Sequence, residues 1–368
     1  MCMSCCHDGD VNPINCIIPP HMMDVIHMRG DAKLRKMVDG HRDIAERVRE
    51  DRRAFVAQRM NRDAGSPTSA FVTPALSMAT PEKACDREVY DGQNKAGLPG
   101  KLVRKEGDCA TGDEAVDNAY DYAGSVYELY FNEFNRNSLD GLGMKLIQTV
   151  HHRRNYNNAF WNGEQMTYGD GDGEIFRTFI EPSVVGHEMT HGVVQFSGGL
   201  VYQGQSGALN ESISDVFGAM VLQYLREETA CDSDWLIGKD ILGPEINGVA
   251  LRSMKAPGTA YSDELLGQDP QPYHLDFYVD TTSDNGGVHI NSGIPNHAFY
   301  LYCQYIGGHS WGVPGQIWYD ALQRINNPIA TFHDWAAQTV TSAIGFHGLG
   351  SLEVNLLRRA WKLVGIQV

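Results

Sequence analysis

The chain has no run approaching the roughly 20 apolar residues that span a bilayer, so a membrane is not among its expected partners. Basic residues are scarce. The 30 Lys and Arg stand against 46 Asp and Glu, a net charge of −16. That balance disfavours phosphate backbones and excludes nucleic acid as a main partner. A secretory signal core is also missing, because the apolar patch from Ile14 to Ile18 is short and runs into Pro19-Pro20. A cytoplasmic location, or export by a non-standard route, is therefore expected. No disulfide framework is legible among the eight cysteines. Cys2, Cys5, Cys6 and Cys16 crowd the N-terminus, and Cys85, Cys109, Cys231 and Cys303 are scattered. The N-terminal group lacks the second paired half of a structural metal site, so an oxidisable tail is expected there.

What is present is a globular composition, 42% hydrophobic over 368 residues, enough for two domain-sized cores. No internal repeats occur. Residues 1–63 carry eleven basic and ten acidic side chains, a net of +1 that leaves −17 for the remainder. Within them Ile17 to Met23 forms an apolar plug, and Arg29 to Arg62 reads as a charged helix. A slightly basic arm on an acidic body suggests a partner docked in cis. Residues 64–83 are rich in Ser, Pro, Thr and Ala and read as an exposed linker suited to nicking.

From about 84 to 200 extended segments dominate: Glu88 to Asn94, Lys101 to Arg104 and Asn158 to Tyr168, with one helix near Asp113 to Phe134. Gly169-Asp170-Gly171-Asp172-Gly173 is a sharp turn that lacks the later Glu of an EF-hand loop. Helices are expected at 184–196, 206–228, 291–306, 314–325, 331–344 and 350–364. The fold class is therefore α+β, with two lobes. Residues 1–70 form the arm and linker, 71–203 a β-rich lobe that includes the helix at 184–196, and 204–368 a helical lobe. That helix lies at the junction of the lobes, where clefts form.

The chemistry is concentrated in His187-Glu188-Met189-Thr190-His191. Two imidazoles four residues apart share one helix face and can hold one zinc ion. Glu211, in an apolar-periodic segment, supplies a carboxylate from a second helix as third ligand. Three protein ligands leave a position for water, the signature of a catalytic site. Glu188 can face that water without ligating the metal and act as general base. Asp215, one turn beyond Glu211, can accept a hydrogen bond from the far nitrogen of a zinc histidine.

Over residues 85–368 the chain resembles the thermolysin-like neutral metalloproteases. The likeness is carried by Asn157 to Gly163, Gly169 to Gly173, Val184 to Val193, Ser206 to Glu211 and Asn285 to Ile294. The separation of His191 and Glu211 fits this family. Ile17-Ile18-Pro19-Pro20 and the short arm resemble the protealysin-type subgroup, whose precursors carry short propeptides. The resemblance implies that His289 is a transition-state histidine paired with Asp284, and that Tyr202 is a second donor to the oxyanion. It implies that Asn158 and the Ala159 backbone hold the peptide as an added strand. It also implies that Arg252 binds a substrate carbonyl, and that Val184, Ile237 and Leu251 wall an apolar specificity pocket. The family's double calcium site maps onto Ser183, Leu222, Asp234, Leu236 and Lys239, of which one is acidic, so that site is expected to be absent.

The expected function is that of a monomeric zinc endopeptidase made as a zymogen. Its substrates would be peptides or proteins with a large apolar residue after the cleaved bond, and its own propeptide would be a partner in cis. A thiolate at Cys16 could in principle act as a fourth zinc ligand, although the subgroup likeness needs none. Two other readings stand beside it: a zinc-bound, permanently self-inhibited binding protein, and metal storage through the N-terminal cysteines.

Overall fold

The computed structural model describes residues 15–44 and 83–368. Cys2, Cys5 and Cys6, the far part of the charged arm and the Ser/Pro/Thr linker lie outside the described residues. The described arm opens with β1 (Asn15–Cys16) and α1 (Pro20–Arg29), followed by α2 (32–44). The expected continuous helix from Arg29 is corrected: the chain breaks at Gly30, where a Cβ would fall 2.6 Å from the Ile26 carbonyl oxygen. Pro20 occupies the first turn of α1, where a missing N–H costs nothing. Ile17, Ile18, Met22, Met23 and Ile26 are all buried, so the apolar plug is a docking face.

The first lobe is built on β2 (Arg87–Asp91), β3 (Lys101–Lys105), α3 (Glu114–Phe134), β4 (Leu146–Val150), β5 (Ala159–Trp161) and β6 (Met166–Tyr168). Among the described residues these form one mixed sheet in the order β1-β5-β6-β4-β2-β3. β2, β4 and β6 run parallel, while β1 pairs antiparallel with β5 at the edge. The single extended segment expected from Asn158 to Tyr168 is instead a hairpin. Its turn is fixed by the Asn162 side chain, which accepts the Glu164 and Gln165 N–H groups. The strand expected to reach Asn94 ends at Asp91.

Two buried helices follow, α4 (Pro182–Gln195) and α5 (Gly204–Arg226). Glu181 caps α4 by accepting the Val184 N–H at 3.1 Å, and Pro182 starts its first turn. Residues 183–194 of α4 are buried all round, as are 206–223 of α5, which marks a pair at the centre of the molecule. The two pack closely because glycines meet at the contact. A Cβ on Gly186 would sit 3.0 Å from the Gly218 Cα, and one on Gly218 would sit 2.5 Å from the Ser183 carbonyl oxygen. This contact brings the His187 face against the Glu211 face.

The second lobe continues with β7 (Leu236–Ile237), β8 (Arg252–Ser253), β9 (Ser262–Asp263) and β10 (Gly267–Gln268), then α6 (Asp284–Asn291), α7 (Gly293–Ile306), α8 (Val313–Arg324), α9 (Phe332–His347) and α10 (Leu352–Leu363). Helices were expected close to α7, α8, α9 and α10, whereas α6 and the short strands β7 to β10 were not expected. Asp284, Asn285, Gly286 and Gly287 all have positive φ, from 50 to 82°. This left-handed stretch suits Gly and, less well, Asn and Asp. It turns the chain so that Asp284 points back at His289.

Candidate active site

His187 and His191 present their Nε2 atoms to the same point, 3.0 Å apart. Glu211 approaches from α5, with Oε2 3.4 Å from His187 Nε2 and Oε1 3.4 Å from His191 Nε2. The ligand atoms of these three buried residues lie within 4.8 Å of one another, and they form the metal-capable cluster found among the described residues. Each histidine has its Nδ1 engaged elsewhere. His187 Nδ1 donates to Asp215 at 2.8 Å, as the sequence suggested. His191 Nδ1 lies 2.8 Å from Asn210 Oδ1 and 2.9 Å from Ser214 Oγ. These partners were not foreseen, although both stand within three residues of Glu211. Bonding at Nδ1 leaves the Nε2 lone pairs free for a cation. Buried Oε1 of Glu188 and Oε2 of Glu211 have no hydrogen-bond partner. Orphaned carboxylate oxygens beside two imidazole lone pairs fit a divalent metal with its bound water.

Glu188 is fully buried and accepts the Trp161 N–H of β5 at 3.1 Å through Oε2. Burial raises its pKa well above the ordinary carboxyl value. The Glu211 charge adds to this, while the Trp161 and Ile17 N–H groups and Arg252 oppose it. Such a carboxyl takes up a proton readily.

Across the cleft, His289 Nδ1 donates to Asp284 Oδ1 at 2.6 Å, and Asp284 Oδ2 accepts the His289 backbone N–H at 2.9 Å. Burial alone would lower the His289 pKa, but Asp284 and Glu211 outweigh it and lift the value to about 9. The ring is then an imidazolium able to donate from Nε2. Tyr202 lies 3.2 Å from that Nε2 and donates its hydroxyl to Glu211.

Arg252, on β8, makes two bonds to Asp215 and a third, at 3.3 Å, to the backbone carbonyl of Ile17. Asn158 Oδ1 accepts the Ile18 N–H at 3.1 Å, and the Ala159 carbonyl accepts the Ile17 N–H at 3.3 Å. The groups expected to hold a peptide therefore hold the arm. Val184, Ile237 and Leu251 are buried, as is Ile17, in one continuous apolar cluster. Cys16 is not a member of the metal-capable cluster. Its carbonyl oxygen lies 3.1 Å from His289 Nε2. The polar residues assigned to the site from sequence are thus linked through these contacts, while Val184, Ile237 and Leu251 share with Ile17 only membership of the core cluster. Sequence reasoning missed Asn210, Ser214 and Asn296; the last donates to Asp215 at 2.8 Å and has no local sequence signal.

The comparisons with known proteins agree with this geometry. The chain matches the thermolysin metallopeptidase catalytic domain over residues 71–195 and the thermolysin metallopeptidase alpha-helical domain over 198–366. It is 45% identical over 358 residues to an extracellular metalloprotease of Pectobacterium carotovorum subsp. carotovorum, covering 97% of each chain. It is 48% identical to Protease PrtS of a Photorhabdus species over 288 residues, covering 77% of this chain and 76% of the relative. Among solved structures it resembles the precursor of protealysin, a metalloproteinase from Serratia proteamaculans, with a TM-score of 0.81 and 42% identity. That match covers 96% of this chain and 99% of the other. The chain belongs to the thermolysin family of metallopeptidases and is a zinc-dependent endopeptidase that carries a propeptide.

Proposed function

We propose that the chain is a latent peptidase whose cleft is filled by its own arm, and that it cleaves peptides before large apolar residues once the arm is gone. The observation that carries this is the seating of residues 16–18 on the peptide-binding groups Ala159, Asn158, Arg252 and His289. Zinc held by His187, His191 and Glu211 would lower the pKa of a bound water to about 7 and polarise the scissile carbonyl. Glu188 removes the proton of that water and delivers it to the leaving nitrogen. His289 and Tyr202 donate to the oxyanion, each such donor being worth roughly 3 kcal/mol. Arg252, Asn158 and the Ala159 carbonyl fix the substrate as an added strand on β5. The apolar pocket of Val184, Ile237 and Leu251 selects the residue after the cut, discriminating by about 1–3 kcal/mol per methylene.

The test compares the full-length chain with protein cut in the linker by limited proteolysis and then separated from the arm, using casein as substrate. Activity is expected to rise on arm removal. Glu188→Ala should abolish it, by about 10²–10⁴-fold, with zinc still bound by elemental analysis. Equal rates before and after arm removal would disprove latency. Zinc-loaded, arm-free protein with no proteolysis would favour the self-inhibited binding protein instead.

A further inference from the structure

The direction and register of the arm in the cleft go beyond blockage. β1 runs antiparallel to β5, pairing Asn15 with Trp161 and Cys16 with Phe160. The carbonyl that meets the oxyanion donor His289 belongs to Cys16. The next nitrogen, that of Ile17, donates to the Ala159 carbonyl at 3.3 Å. The Ile17 carbonyl accepts from Arg252, and the Ile18 N–H donates to Asn158. Each hydrogen-bonding group of this stretch therefore stands where the corresponding group of a substrate would stand. A strand laid in the opposite direction would offer His289 an N–H and could not be cut. In this register the Cys16–Ile17 bond is the one that lies between His289 and the Ala159 carbonyl.

Resting on the peptidase reading of the site, we propose that the chain is its own first substrate and hydrolyses the Cys16–Ile17 bond in cis. The oxygen of water bonds to the Cys16 carbonyl carbon. The Cys16–Ile17 carbon–nitrogen bond breaks. Glu188 passes the first proton taken from water to the Ile17 nitrogen, and the second proton of that water also ends on the released amine, leaving a carboxylate on Cys16 and an ammonium on Ile17. The two products then part company. Among the described residues, Asn15 and Cys16 precede the cut, paired with β5 and with the Cys16 carbonyl on His289. Those after it stay anchored by the buried Met22, Met23 and Ile26, by Arg29 on the Asp263 and Glu264 carbonyls, and by Lys33 on Glu174. His41 adds an anchor by accepting the Asn157 N–H at 2.9 Å. Residues 17–44 therefore remain in place as bound product, and latency outlasts this cut.

The experiment follows the full-length, zinc-loaded chain by intact mass and N-terminal sequencing. The expected result is loss of residues 1–16 and a new terminus reading Ile17-Ile18-Pro19-Pro20. The rate should not change on dilution, and the Glu188→Gln chain should stay whole. A second readout needs no turnover. In the Glu188→Gln chain, hydrogen exchange at the Ile17 and Ile18 amides should be slowed by about 100-fold or more relative to an unstructured peptide. Free exchange at these amides overturns the register, and cutting in the Glu188→Gln chain overturns self-cleavage. If the bond stays whole while arm-free protein digests casein, the proposal is wrong and the peptidase reading stands. If neither is cut, the peptidase reading fails and takes the proposal with it.

Discussion

Arg252 and Asp215 form a buried two-point ion pair, Nε to Oδ2 at 2.9 Å and Nη2 to Oδ1 at 2.8 Å. The same carboxylate accepts His187 Nδ1 and Asn296 Nδ2. One acid thus orients a metal ligand and a peptide-binding arginine together. Burial would raise the Asp215 pKa, but Arg252 and His187 hold it well below the usual carboxylate range. The side chain is thereby held in its ionised form.

Asp215→Asn should therefore act at two places. Zinc affinity should fall by about 10–100-fold, as when the outer partner of a metal histidine is lost. Peptide binding should weaken as well, because Arg252 loses its fixed orientation. Asp215→Ala should be harsher, with about 3–5 kcal/mol lost in denaturant unfolding from an unpaired buried arginine. Chelator competition and urea titration measure the two effects. Wild-type zinc affinity in both variants would remove Asp215 from the metal site.

The parts legible in the sequence were those set by local periodicity. Spacing along α4 put His187, Glu188 and His191 together, and spacing along α5 put Asp215 one turn from Glu211. β4 was not seen, because its buried positions include polar residues that hide a strand pattern. Gln148 accepts from the Tyr168 hydroxyl at 2.6 Å, and Thr149 donates to the Pro99 carbonyl at 2.9 Å. Without those distant partners, Leu146 to Val150 does not read as a core strand. The left-handed turn at Asp284 to Gly287 was not read from the sequence, where that stretch entered only through the family likeness. The register of the arm depends on contacts between residues more than 100 positions apart, which no window of sequence contains.

Docking of the arm should weaken in acid. His41 Nε2 accepts the Asn157 N–H and Nδ1 donates to the Met37 carbonyl, so both nitrogens are used by a neutral ring stacked on Tyr156. Burial lowers its pKa, opposed by Asp172 and reinforced by Arg153. His21 is pushed down to about 4 by burial. Asp284 and Asp24 oppose that shift, and His289 and Arg252 add to it. A free arm takes up protons that the docked arm cannot. Docking is therefore at full strength above the ordinary value of 6.5 and is lost progressively as pH falls from there toward 4. His21 alone would account for about 3 kcal/mol at the acid end. Arm release, read by trypsin sensitivity, should be faster near about pH 5 than near about pH 8 in the full-length chain. The double variant His21→Asn, His41→Asn should flatten that dependence. Equal sensitivity at both pH values in the unmodified chain would contradict this assignment.

Calcium should add little to stability. At the positions that the family likeness assigns to a double calcium site, the Lys239 ammonium donates to Asp234 Oδ2 at 2.7 Å. That bond raises the lysine pKa, so the positive charge persists through the neutral range. Ser183 donates to Glu181 and accepts the Gly238 N–H at 3.0 Å, which commits its oxygen elsewhere. Leu222 and Leu236 offer no side-chain oxygen, whereas calcium needs about six to eight. The ammonium on Asp234 already pairs the one remaining acid of the set. Millimolar calcium should move the melting temperature by no more than about one or two degrees, since only a ligand that binds the folded state stabilises it. Neutralising the lysine with Lys239→Gln should leave that response unchanged, because the leucines still lack oxygens. A calcium-dependent rise of about ten degrees or more, equivalent to several kcal/mol of linkage, would mean that other oxygens in the chain bind the ion.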